Sequence, residues 1–231
     1  MADGDIAAHE LATLTALDVA VPRPLVLAAD GGAARCLAVG VRPDLVIGDL
    51  DSLPPEALAH LAAIGVAVHQ ADADKDESDL ELCLAEAVGR GARAITILGA
   101  LGVERPEHSI ANVLLLADPR LDGRDVTLLG HGARISRIGS ADGPGRCDIE
   151  GDPADYVSLF AVGGTVQGVR TDGLRFPLRD ESLPVGPSRG LSNELLGHRA
   201  SVTSRRGRLL VVHTRPSVER PLADHSAPSS P

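Results

Sequence analysis

The stretch "PLVLAADGGAARCLAVGVRPDLVIGDLDSLPPEALAHLAAIG", residues 24–65, decides the fold. It alternates short apolar runs with amphipathic segments. "PLVLAAD" (24–30) reads as a strand and "GAARCLAVG" (32–40) as the helix after it. "DLVIGD" (44–49) is the next strand, and "PPEALAHLAAIG" (54–65) a helix that opens on proline and closes near Gly65. Both strands run into acid, the first into Asp30, the second into Asp49 and Asp51. Two like charges one residue apart repel. Either they belong to a solvated turn, or something positive is meant to sit between them.

Working outward, "VAVHQ" (66–70) is strand-like. The helix after it carries Leu80, Cys83, Leu84, Ala87 and Val88 on one face. "AITILGA" (94–100) is a further strand, and the nearly all-apolar "HSIANVLLLA" (108–117) reads as a helix sunk between layers. "DVTLLG" (125–130) and "ARISRIG" (133–139) follow as strands. This order predicts an α/β fold whose N-terminal, mostly parallel sheet has helices on both faces.

The texture changes at the Gly/Pro/Asp-rich "SADGPGRCDIEGDP" (140–153), which reads as a boundary. Beyond it the short runs "YVSLFAV" (156–162), "TVQGVR" (165–170), "ASVTS" (200–204) and "RLLVVHT" (208–214) predict a C-terminal antiparallel β-sandwich domain. The expected division is an α/β catalytic domain over 21–140 and a sandwich over 150–214. Residues 1–20 are expected to be disordered or partly ordered, and the tail 217–231 disordered.

Composition narrows the function classes. The formal charge of -10 argues against a general binder of nucleic acid or anionic membrane, whose affinity would rest on basic patches. Cys36, Cys83 and Cys147 are odd in number and widely spaced, which suits reduced structural thiols. No apolar run reaches membrane-spanning length, and the acidic N-terminus lacks a signal-peptide pattern, so a soluble cytoplasmic protein is expected. With aromatics at 1%, the core has to be aliphatic.

A third strand runs into "QADADKDESDLE" (70–81), with Asp72, Asp74, Asp76 and Asp79. In a parallel α/β sheet these strand ends share one edge, where such folds bind ligands. A divalent cation would relieve the repulsion, and Mg²⁺, held by a few carboxylates together with substrate phosphates, suits the residue types. Gly31 and Gly32, just before a helix, could offer backbone N–H groups to phosphate. Simpler readings stand beside these. Asp49 and Asp51 also fit a polar loop. "SDLE" fits a capping box, with Ser78 as cap and Glu81 reaching back, and Asp79 also suits the helix dipole. Lys75, the single lysine of the chain, fits a solvated charge, Asn112 a satisfied core amide, and Phe176 a sandwich-core residue.

Six stretches, in order, resemble the thiamine pyrophosphokinase (thiamine diphosphokinase) family: "ADGGA" (29–33), "PDLVIGDLDS" (43–52), "DKDESDLELCL" (74–84), "ILGALGVERPEHSIAN" (97–112), "GVRTDGLRFPL" (168–178) and "GLSNE" (190–194). The resemblance implies pyrophosphoryl transfer from ATP to the hydroxyl of thiamine, with Mg²⁺, by a homodimer whose active sites are shared between chains. It assigns metal and catalytic positions to Asp49, Asp51 and Asp79, with Arg105 and Glu107 also catalytic. The nucleotide side takes Asp30, Gly31, Gly32, Lys75, Asp76, His108 and Asn112. Phe176, Ser192 and Asn193 fall where the family contacts thiamine, Phe176 as the ring that stacks on the pyrimidine. One motif departs from the pattern. Where the family usually reads Gly-Gly-Arg-x-Asp-His, this chain has "GVERPEHS" (102–109), with Val103 for a loop glycine, one extra residue, and Glu107 for Asp. Two other functions share parts of this signature. They are a related pyrophosphokinase for another primary alcohol, such as a hydroxymethylpterin, and a catalytically silent nucleotide- or thiamine-binding homologue.

Overall fold

A computed structural model describes residues 8–20, 22–102 and 105–215. Three parallel strands lie side by side: β1 (Leu27–Ala29), β2 (Leu45–Gly48) and β3 (Ala67–Gln70), with β2 in the middle. Helices α2 (Gly32–Ala38) and α3 (Pro55–Ala63) connect them, and α4 (Asp79–Gly89) follows β3. Side chains alternate across a strand. Ala28 and Val46 therefore face a cluster with Ala33, Cys36 and Leu61, from α2 and α3. Ala29, Leu45 and Ile47 face the other way, onto Cys83 of α4. Helices cover both faces, as the apolar runs require. Edge strand β3 is exposed throughout.

A second ladder begins with β4 (Ala94–Leu98), which pairs in parallel with β5 (Asp125–Gly130). Between them come α5 (Pro106–Leu114) and two 3₁₀ turns, 115–117 and 119–121. His131 and Gly132, with φ of 48° and 75°, make a two-residue turn that returns the chain as β6 (Ala133–Ile138), antiparallel to β5. Positive φ at both central residues is what such a hairpin asks for. β6 then pairs with β12 (Arg206–Thr214), so one hydrogen-bonded sheet runs from the α/β layer into the C-terminal part. The remaining strands are β7 (Gly145–Glu150), β8 (Tyr156–Asp172), β9 (Arg179–Leu183), β10 (Asn193–Glu194) and β11 (Arg199–Ser204). Apart from the β4–β5 pair, this curled sheet is antiparallel throughout. Its folded-over faces enclose an aliphatic core that includes Val157, Leu159, Val166, Val169, Val202, Leu209 and Val211.

Three local expectations change. Helix α5 is not sunk between layers: it buries no residue, and Ile110 and Leu114 are 61% and 58% exposed. The chain breaks into a 3₁₀ turn at Leu115, and Leu116 and Leu121 take the core positions instead. "YVSLFAV" and "TVQGVR" are one strand, β8, which pairs with β12 before Gly163–Gly164 and chiefly with β9 and β11 beyond. The Gly/Pro/Asp-rich boundary contains β7, whose alternation is mostly polar because it pairs along one side only and buries Ile149 alone. Helix α1 (Ala8–Asp18) orders part of the segment expected to be disordered or partly ordered, held by Leu14 in the cluster with Val26, Val41 and Val66. The expectation for 217–231 and the Val103 substitution lie outside the described residues.

Candidate active site

Strands β1 and β2 both end at the edge where parallel strands present their C-termini. Asp30 leaves β1 with its N–H bonded to the Ile47 carbonyl of β2 at 2.9 Å. Gly48 closes β2, and a Cβ there would stand only 2.9 Å from the Asp30 Cβ and 3.2 Å from the Asp79 carboxyl carbon. Glycine is what lets two acidic side chains crowd this strand end. Asp79 opens α4, whose cap is Ser78, accepting from the Glu81 N–H at 3.2 Å. The box is half formed, because the Glu81 carboxylate takes Arg120 at 3.1 Å instead of reaching back.

These elements bring Asp30, Asp49 and Asp79 together, with one carboxylate oxygen from each lying within 4.8 Å of the others. Asp30 is 5% exposed, and its Oδ1 has no hydrogen-bond partner among the described residues. Burial pushes the Asp79 carboxyl above its ordinary value, and the neighbouring Asp30 and Asp49 charges add to this against the pull of Lys75. The Lys75 ammonium lies 3.0 Å from Asp79 Oδ1 and 3.9 Å from Asp49 Oδ2. Its contact with Asp79 is close but poorly directed, so Oδ1 still lacks a well-formed hydrogen bond among the described residues. Three carboxylates, one of which has a buried oxygen with no partner among the described residues, fit a cation such as Mg²⁺. Lys75 also borders a cleft of about 400 Å³, with Ile47, His69, Asp72 and Leu82.

The remaining sequence candidates fall into distinct places. Asp51 stands apart from the trio, exposed, and accepts from the Ser52 hydroxyl at 3.0 Å. Asp76 is exposed. Gly31 and Gly32 are buried at the start of α2. Arg105 and Glu107 pair with each other at 2.9 Å at the exposed start of α5, with His108 beside them. Its own backbone N–H and Arg105 hold the Glu107 carboxyl below its usual value. Asn112 donates its side-chain amide to the Ala100 carbonyl at 2.8 Å. Ser109, which the sequence reading passes over, ties the loop by donating to the Gly102 carbonyl and accepting its N–H.

In the C-terminal part the three candidates converge. Asn193 is buried; its Oδ1 accepts the Phe176 N–H at 2.9 Å and its Nδ2 donates to the Phe176 carbonyl at 2.7 Å. The amide thus fastens the loop that carries Phe176. The Phe176 ring is not core: it is 55% exposed, with the Arg175 guanidinium 5.4 Å from its centroid. Ser192 neighbours them at a φ of 55°, its N–H bonded to the Ser158 hydroxyl.

Fold and site together define a two-part protein: an α/β part whose three-stranded parallel sheet carries the acidic edge, and a separate sheet that begins there with β4 and β5 and runs on into a β-sandwich. Family models give that class a name. Residues 19–128 match the thiamin pyrophosphokinase catalytic domain, and residues 146–209 match its vitamin B1 binding domain. A thiamine pyrophosphokinase of Bacillus subtilis is 26% identical over 186 residues, covering 80% of this chain and 85% of that protein. The crystal structure of the Bacillus subtilis enzyme superposes with a TM-score of 0.73 at 26% identity, covering 84% of this chain and 88% of that one. The thiamin pyrophosphokinase of Geobacillus thermodenitrificans gives 0.68 at 28% identity, over 84% and 87% of the two chains. The chain belongs to the thiamine pyrophosphokinase family.

Proposed function

We propose that this chain is a thiamine diphosphokinase that transfers the pyrophosphoryl group of ATP to the hydroxyl of thiamine, releasing AMP. The observation that carries the reading is the Asp30–Asp49–Asp79 cluster, with its buried unpartnered oxygen, on a chain that also carries the family's vitamin B1 binding domain. In the transfer the thiamine hydroxyl gives up its proton to water and its oxygen forms a bond to the β-phosphorus. The bridging bond to the α-phosphate breaks, and its electron pair leaves with AMP. Such chemistry asks mainly for positioning and for neutralisation of charge. Asp30, Asp49 and Asp79 would hold Mg²⁺, which supplies Lewis-acid neutralisation of the polyphosphate. Asp51 and Asp76 extend the acidic rim into solvent. Arg105, on an exposed helix start, is free to turn from Glu107 to phosphate oxygens, and Glu107 and His108 flank it. Gly31, Gly32, Lys75 and Asn112 line the nucleotide side.

Phe176 presents an open aromatic face for the pyrimidine, Asn193 fixes its loop, and Ser192 borders it. We place the active site between two chains of a homodimer. Large apolar side chains that the sandwich leaves in solvent, Phe160, Leu191 and Leu196 among them, support such an assembly. The catalytic unit is taken as 21–140 and the thiamine unit as 150–214. No described helix is long and apolar enough to cross a membrane, and we place the enzyme in the cytoplasm.

The test is an acceptor panel. Purified chain with ATP and Mg²⁺ is offered thiamine or a hydroxymethylpterin, and AMP release is measured. AMP release with thiamine alone is expected. Release only with the pterin, or with neither, would sink the assignment.

A further inference from the structure

Lys75 is the single lysine of the chain, and its place is not explained by the helix it precedes. It sits three residues before the cap Ser78, at the positive end of the α4 dipole, where a cation is disfavoured. Its ammonium is nonetheless drawn in: the side chain is 14% exposed, 3.0 Å from Asp79 and 3.9 Å from Asp49, with a weak 3.4 Å donation to the Asp72 carbonyl. What holds it there is the charge of the acidic trio, two of whose three members it touches. Those same carboxylates are the ones a divalent cation would need. An ammonium and a divalent ion sharing two carboxylates would lie a few ångströms apart, and their repulsion in a half-buried site is strong. A lysine stem has the rotatable bonds to leave, and the cleft that Lys75 lines gives it room.

We propose that Lys75 is the resident counter-cation of the acidic trio, which steadies the carboxylates before a divalent ion arrives and is displaced from Asp49 and Asp79 when it does. The inference rests on the reading of the trio as a cation site. It makes cation binding an exchange rather than a simple addition. The exchange lowers the apparent affinity for Mg²⁺ alone, and it frees an ammonium beside the cleft at the moment the site is loaded.

Because the chain has one lysine, reductive ¹³C-methylation of the intact protein labels Lys75 and the α-amino group and no other amine. On Mg²⁺ titration without nucleotide, the Lys75 methyl signal should move toward that of a free dimethyl-lysine while the α-amino signal stays fixed. In parallel, thermal melts of Lys75→Gln should start below wild type in EDTA, gain more from Mg²⁺, and show a severalfold lower Mg²⁺ midpoint. Lys75→Arg, which keeps the charge, should return toward wild type. A Lys75 signal unmoved while Mg²⁺ stabilises the wild type, and fails to stabilise Asp49→Asn, would overturn the exchange and leave the cation site standing. An unchanged or higher midpoint in Lys75→Gln would do the same. If Mg²⁺ neither shifts the signal nor stabilises the wild type, the cation site and the exchange fall together. Should Lys75→Gln not fold, the labelled wild type decides alone.

Discussion

Leu50, with a φ of 70°, stands between two aspartates that the sequence presents as a pair and the fold treats differently. Asp49 turns inward to meet Asp30 and Asp79, whereas Asp51 turns out to Ser52. Asp49→Asn should therefore keep the fold and lose several kcal/mol of transition-state stabilisation, on the order of a thousandfold in kcat. Asp51→Asn should cost less than about tenfold, since an exposed carboxylate outside the cluster contributes mainly through screened charge. Steady-state kinetics on both variants checks this, and equal losses would contradict the division. Legibility at this scale was uneven. That acids gather at strand ends could be read from "AAD", "VIGD" and "KDESD", because strand–helix alternation places those ends on one edge. Which two of the acids on β1 and β2 would meet could not, because it depends on one backbone dihedral and on the glycine beside it. Phe176 was ambiguous for a similar reason. Its exposure depends on how Asn193 ties its loop, a contact across 17 residues.

At the scale of elements, the end of β2 is the joint that sets the cluster. A side chain at Gly48 would press on Asp30 at 2.9 Å and on Asp79 at 3.2 Å, with strand backbone behind the first. Gly48→Ala should cost about 1–3 kcal/mol of stability, as overpacking does, and should lower kcat disproportionately by spreading the carboxylates. A melt and a kinetic assay on one preparation separate the two losses; a fall in Tm with kcat intact would show that the crowding is not functional. Elements with one buried face, such as α4, were legible from periodicity. Strand β7 was not, because pairing along one side leaves its pattern polar and its Gly and Pro neighbours resemble a linker. The helix α5 misled in the opposite direction: its apolar residues predict burial, yet the break at Leu115 hands the core to Leu116.

Across the whole molecule, Asp122 connects the turn before β5 to β6 and β12, by ion pairs with Arg137 and with Arg208 at 2.7 Å. Hydrogen bonds from Arg208 and Arg137 hold its carboxyl down at about 2, from an ordinary 3.8. A depressed carboxylate stabilises the fold fully above its unfolded value and loses that stabilisation as pH falls through the folded one. The contribution is at most about 2 kcal/mol. Stability should thus fall between about pH 4 and pH 2, and Asp122→Asn should be destabilised at neutral pH and flatter across that window. Denaturant melts from pH 7 to pH 2 would show it, and parallel curves for the two proteins would contradict it. The proposed sharing of sites between two chains predicts complementation as well. Dimers re-paired at random from Asp49→Asn and Phe176→Ala chains should recover about one quarter of wild-type activity, because half are mixed and each of those has one intact site. No recovery after proven subunit exchange would place Phe176 in its own chain's site.

The most direct measurement follows the phosphorus. The chain is incubated with Mg²⁺, thiamine and ATP labelled at the γ-phosphate, and the nucleotide and thiamine products are separated and counted. Pyrophosphoryl transfer predicts labelled thiamine diphosphate and AMP in equal amounts, with no thiamine monophosphate on the way. Labelled thiamine monophosphate with ADP, or the absence of any thiamine-dependent AMP, would contradict it.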